Sequence, residues 1–65
     1  MLSSYARWLD ALRASDPEVI RHYAGDPEPV LRQAVCRNGF TPVDILRRLA
    51  EDENTTVRLM ARQRL

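Results

Sequence analysis

Residues 26–42 read DPEPVLRQAVCRNGFTP. Two prolines open the stretch, a short apolar run follows, Asn-Gly stops it, and Thr-Pro starts the next run. Pro27 and Pro29 lie in or before the first turn of a helix, where no intrahelical N–H bond is due. Leu31, Ala34 and Val35 then recur at helical spacing. Asn38-Gly39 predicts a left-handed stop, with Phe40 folding back onto Ala34 or Val35. Thr41-Pro42-Val43-Asp44 has the form of a capping box, with Asp in place of Glu or Gln. One helix of about 28–37, capped by Asp26 or Glu28, thus gives way within a few residues to another of about 42–50.

The same punctuation runs along the whole chain. Ser3 or Ser4 caps a helix of about 4–13, with Tyr5, Trp8, Leu9 and Leu12 on one face. Asp16 caps a helix of about 17–24, Pro17 takes its first position and Gly25 ends it. Asn54 or Thr55 caps a last helix of about 55–64. No period-two alternation occurs, so no sheet is expected. Helices this short are marginal alone in water and must be held by neighbours.

A shift of 26 residues supplies the neighbours. Segment 15–26, SDPEVIRHYAGD, falls on 41–52, TPVDILRRLAED. Val19-Ile20 meets Ile45-Leu46, and Leu31-Arg32 meets Val57-Arg58. The identities are few, four in 25 positions: Arg21 with Arg47, Ala24 with Ala50, Asp26 with Asp52, and Arg32 with Arg58. A further shift places Leu31, Ala34 and Val35 over Tyr5, Trp8 and Leu9, the bulkier pattern of a capping layer. The stops and starts are then hairpin corners, and each helix pair is one layer of a stack. The expected organisation is a single domain over 1–65: a capping helix in 1–14, a repeat in 15–40, and a repeat with its own capping helix in 41–65.

Composition narrows the function classes. Sixty-five residues make one small domain. There is no apolar run long enough to span a membrane and no signal-peptide pattern at the start. One cysteine makes neither an internal disulfide nor a cysteine-based metal cluster, so a cytoplasmic protein is expected. All ten basic residues are arginine. Arginine-favouring codon usage accounts for that, and so would recognition of phosphate or carboxylate by the planar guanidinium. The net charge of +1 argues against strong non-specific nucleic-acid binding. The charge is nevertheless uneven. Residues 1–30 carry three arginines and five acids, net −2, and residues 31–65 carry seven arginines and four acids, net +3.

DPEPVLRQAVCRN followed by TPVDILRRLAED resembles the leucine-rich repeat variant and is similar to bacterial HEAT-like repeats. Asp26, Pro27, Pro29, Leu31, Arg32, Ala34, Val35, Arg37 and Asn38 match the first half of the repeat pattern. Thr41, Pro42, Leu46, Leu49, Ala50 and Asp52 match the second. The resemblance implies an all-α fold, a short right-handed α-solenoid of about two and a half repeats and five short helices. It also implies a binding scaffold rather than a catalyst. The departures are an atypical last helix and fewer than the three repeats usually needed for stability. Some relatives carry an iron–sulfur-type cysteine cluster before the repeats, but here only Cys36 is present.

Candidate residues follow from this frame. An open stack leaves apolar faces at its ends, so Tyr5, Trp8 and Leu12 at one end and Leu59, Met60 and Leu65 at the other are candidate partner-binding residues, for self-association or for another protein. Arg32 and Arg58 each stand six residues after an aspartate. They either reach caps and carbonyls of a neighbouring layer in a ladder, or form an anion site with Arg37, Arg47, Arg48 and Arg62, which would bind phosphate or nucleic acid. Arg64 belongs to the same looser basic group. Exposed aromatics for base stacking are wanting in that half, where only Phe40 stands. His22 has no second histidine or cysteine at ligand spacing, and Cys36 reads as a small buried apolar residue. No nucleophile, base and oxyanion donor assemble, so no enzyme activity, cofactor or metal is expected. The leading expectation is a small non-enzymatic protein-interaction module.

Overall fold

A computed structural model describes residues 2–65. Its five helices are α1 (Ser4–Arg13), α2 (Pro17–Ala24), α3 (Pro29–Arg37), α4 (Val43–Leu49) and α5 (Thr55–Gln63). The fold is all-α, with no strand among the described residues. The local chemistry sets the boundaries. The Ser3 hydroxyl accepts the Ala6 N–H at 3.1 Å, the Asp16 carboxylate accepts the Glu18 N–H at 2.9 Å, and the Asn54 side chain accepts the Val57 N–H at 3.0 Å. Each satisfies a donor that its helix leaves free.

Helices of seven to ten residues are held by packing rather than by their own propensity. In one row α1 packs on α3 and α3 on α5; in the other α2 packs on α4. Hairpin contacts of α1 with α2, α2 with α3, α3 with α4 and α4 with α5 join the rows. The result is a stack 31 × 21 × 14 Å in extent.

The core sits between the rows and repeats with the 26-residue shift. Leu31 and Val57 are both 0% exposed, and Ile20 and Leu46, Tyr23 and Leu49, Val35 and Ala61, and Ala24 and Ala50 are buried pairwise. Full burial of a side chain the size of Leu or Ile contributes ~1.5–3 kcal/mol, so these positions rather than helix propensity stabilise the stack.

Three local expectations are corrected. Among the described residues no position has positive φ. Asn38 ends α3 in extended backbone, φ −71° and ψ 120°, and Phe40 is 65% exposed instead of folding back on α3. The Asn38 side chain takes over the closing role, because its Oδ1 accepts the Phe40 N–H at 2.8 Å. The capping box at 41–44 does not form: α4 has no side-chain cap, and the Thr41 hydroxyl donates to the Val35 carbonyl at 2.7 Å. The helix starts at Val43 with Pro42 at its cap position, so the Thr41 side chain stands one residue too early and is turned toward the C-terminal turn of α3. Finally, Tyr5 is exposed where the shift would have it follow Leu31 inward. The core side of α1 is Trp8, Ala11 and Leu12, since α1 has a neighbouring helix of its own row on one side only.

Candidate functional site

The most organised polar structure of the molecule lies along the turns that lead into the helices. Asp16, Asp26 and Asp52 each stand two residues before the N–H that their Oδ1 accepts, at 2.9, 2.9 and 2.8 Å, on Glu18, Glu28 and Asn54. In the last two turns an arginine six residues on folds back to the aspartate's own carbonyl. Arg32 Nη1 donates to Asp26 O at 2.7 Å, and Arg58 Nη1 to Asp52 O at 2.8 Å. The same two groups donate more weakly to the following carbonyls of Pro27 and Glu53, at 3.2 and 3.5 Å.

Arg32 also reaches forward one layer. Its Nε donates to Asp52 Oδ2 at 2.8 Å and its Nη2 to Asp52 Oδ1 at 3.0 Å, a two-point pairing with both side chains nearly buried. Burial works against ionised Asp52. The Arg32 hydrogen bonds, the Asn54 N–H and the charges of Arg32 and Arg58 outweigh it and hold the carboxyl below its usual range. Arg7 does a similar job one layer earlier: Nη2 donates to Glu28 Oε1 at 2.7 Å and Nη1 lies 3.6 Å from Asp26 Oδ2. Arg7 precedes Arg32 by one residue less than the repeat, so the 26-residue comparison passes over it.

A second, more exposed ladder runs along the other row. Arg21 Nη1 pairs with Asp44 at 3.2 Å, and its Nε lies 3.9 Å from Glu18, the residue equivalent to Asp44. Exposed pairs of this sort contribute only ~0.2–1 kcal/mol.

A third set of contacts ties each layer to the carbonyls of the one before. Asn38 Nδ2 donates to Ala11 O at 2.9 Å and Ala14 O at 2.8 Å. Its repeat equivalent, Arg64, donates to the carbonyls of Cys36 and Asn38. Within the last layer, Arg62 Nε donates to Ala50 O at 3.0 Å. Tyr23 donates its hydroxyl to Asp10 at 2.7 Å, and burial together with that bond raises its pKa.

These contacts decide where the sequence candidates stand. Of the six arginines considered for an anion site, the donors of Arg32 are taken by Asp52 and two carbonyls, while Arg58 and Arg62 turn onto carbonyls of the chain. Arg37, Arg47 and Arg48 are exposed. His22 is exposed and meets Tyr23 edge-on, ring centroids 5.6 Å apart. Cys36 is buried, and burial pushes its thiol up to about 11. An open groove beside it is lined by Cys36, Arg37, Gly39, Met60, Gln63 and Arg64. Among the described residues no group of three or more His, Cys, Asp or Glu could hold a metal ion, and no helix is long and apolar enough to cross a membrane.

Of the apolar candidates, Trp8, Leu12 and Met60 are partly buried against the core. Tyr5 stacks on Trp8, centroids 6.2 Å apart, and stays 68% exposed. Leu59 and Leu65 are 53% and 58% exposed. Arg7, Asn38 and the Tyr23–Asp10 pair are the members of the polar network that the sequence reading passed over. No family model matches the chain, and neither a curated protein nor a solved structure matches it.

Proposed function

We propose that this chain is a small, non-enzymatic protein-interaction module of the leucine-rich repeat variant or HEAT-like type, which takes up another polypeptide on the ends of its helical stack. The observation that supports this is the placement of exposed apolar groups. Tyr5 lies open on α1, the first helix of its row, and Leu59 and Leu65 lie open on or just after α5, the last. In the middle of the row the residue equivalent to Leu59 is Gln33, half-buried. The end helix thus exposes a leucine where the inner helix carries a half-buried glutamine. Aromatic, apolar and arginine side chains together are also the usual composition of interface anchors.

The test is a pair of measurements on the chain with Leu59→Glu and Tyr5→Ser. Surface groups kept for binding leave fold stability within about 0.5 kcal/mol of the parent. Destabilisation on the scale of core substitutions, ~2–5 kcal/mol, would place them in the core and end the reading. A gel shift with random duplex at low ionic strength that fades with salt would replace it by the anion-binding alternative.

A further inference from the structure

The two arginine ladders break off at the same end of the molecule, and what they lack is the same group. In the first, Asp26 and Asp52 are equivalent, as are Arg32 and Arg58. Arg32 binds the carbonyl of its own turn and clamps the carboxylate of the next, whereas Arg58 binds its own turn and meets no carboxylate among the described residues. In the second, Glu18 and Asp44 are equivalent, as are Arg21 and Arg47. Arg21 reaches Asp44 in the next layer, and Arg47 is exposed without such a partner among the described residues. Leu59 lies next to Arg58 and is exposed. Cys36, four residues after Arg32, contacts the Val57 carbonyl at 3.7 Å, so this side of α3 faces α5. By the repeat, the same side of α5 carries Arg58 outward, while Arg62, the equivalent of Cys36, turns its Nε onto Ala50 O.

From this we propose that the α4–α5 end face, through Arg58, Arg47 and Leu59, binds an acidic turn leading into a helix on a partner protein, in the way that α3 receives the turn Asp52-Glu53-Asn54 and the start of α5. The inference rests on the reading of the chain as an interaction module and names the chemistry of its partner. The molecule itself shows what covers such a face: an aspartate whose carboxylate takes the arginine fork, followed by a helix whose apolar side packs down. The charge that favours an acidic occupant is local: among the described residues neither Arg47 nor Arg58 meets a carboxylate, whereas their equivalents Arg21 and Arg32 do.

The experiment titrates the full 65-residue chain, labelled with nitrogen-15, with a synthetic peptide reproducing residues 50–65, and follows amide shifts. Perturbation centred on Arg47, Arg58 and Leu59 is expected. Arg58→Glu should weaken binding at least tenfold, while Arg37→Glu, outside both ladders, should change it less than twofold. Since Arg58 also ties its own turn, a second arm keeps the test sharp: a peptide with arginine at the Asp52 position should recover affinity for the Arg58→Glu chain, and Arg47→Glu should weaken the original peptide. No shifts at millimolar peptide, or equal losses for Arg37→Glu and Arg58→Glu, would overturn the proposal. So would a mass that rises with concentration in the peptide-free chain with shifts at these same residues. That last result assigns the face to a second copy and leaves the interaction-module reading standing.

Discussion

Arg32 and Asp52, 20 residues apart, are joined at two points, with Nε 2.8 Å from one carboxylate oxygen and Nη2 3.0 Å from the other. Asp52 also holds the Asn54 N–H with its side chain and the Arg58 guanidinium with its carbonyl. One aspartate therefore joins α3, the turn before α5, and α5 itself.

Removing one partner of this nearly buried pair leaves the other charge uncompensated. Arg32→Ala is expected to cost about 3–5 kcal/mol, much of the stability of a domain this small. Arg32→Lys keeps the charge but loses the fork and the simultaneous reach to Asp26 O, so it should fall between the parent and the alanine variant. Urea denaturation checks the order. Equal stability of the lysine variant and the parent would mean that the two-point geometry contributes nothing.

The depressed pKa of Asp52 fixes a pH dependence. A carboxyl that ionises more readily folded than unfolded stabilises the fold above its unfolded pKa, about 3.9, and loses that contribution as pH falls through the lower folded value. Stability should therefore drop below about pH 4, and Asp52→Asn should flatten the drop while lowering stability at pH 7. An acid limb of unchanged steepness in that variant would assign acid sensitivity to other carboxylates.

The four identities of the 26-residue shift show how much was legible. Arg21 and Arg47, Asp26 and Asp52, and Arg32 and Arg58 hold the ladder positions, and Ala24 and Ala50 are both buried in the core. The helix order and most of the core were readable because apolar spacing and caps are local signals. The carbonyl-binding contacts were not. Asn38 and Arg64 do equivalent work with unlike side chains, and their acceptors are backbone groups that leave no mark in a sequence. The first layer was misregistered for a related reason: Tyr5 and Trp8 fit one apolar period, but Tyr5 lies open, the core side of α1 is Trp8, Ala11 and Leu12, and the polar Arg7 reaches the turn before α3.

Gly39 separates the local reading from the folded geometry by sign. A left-handed glycine replaced by alanine costs ~1–2 kcal/mol. Here φ of Gly39 is not in that region, and a Cβ built on it meets nothing within 4 Å. Gly39→Ala should therefore stabilise the chain, by ~0.4–1 kcal/mol, through lost freedom of the unfolded state. A measured loss would restore the left-handed stop.

Asn38 is buried, with its amide nitrogen on two carbonyls of the preceding layer. Asn38→Ala strands those carbonyls and is expected to cost ~1–3 kcal/mol. Asn38→Asp is the sharper test. The carboxylate can still accept the Phe40 N–H but has no donor to offer Ala11 and Ala14, and it sets negative charge against their oxygens. At neutral pH it should be less stable than the alanine variant, and the gap should narrow as the carboxyl is protonated. Equal stability at pH 7 would mean that the amide donors are not what holds the layers together.

Cys36 tests whether the α3–α5 contact stays closed. Burial and the nearby Asp52 charge raise its thiol to about 11, against a smaller opposing effect of Arg64. Alkylation proceeds through the thiolate, and a thiol raised to about 11 holds roughly 100-fold less thiolate at pH 8 than an ordinary one near 9, before any loss of access. The native chain should react at least that much more slowly than the chain in denaturant, and intermediate urea should raise the rate in step with global unfolding. Because the folded thiol holds its proton more tightly than the unfolded one, stability should also fall as pH rises from about 9 through about 11. Fast alkylation in water with the fold intact would show α5 leaving α3 independently of the rest. The covering of Cys36 by Val57 would then be a local opening rather than part of the cooperative core.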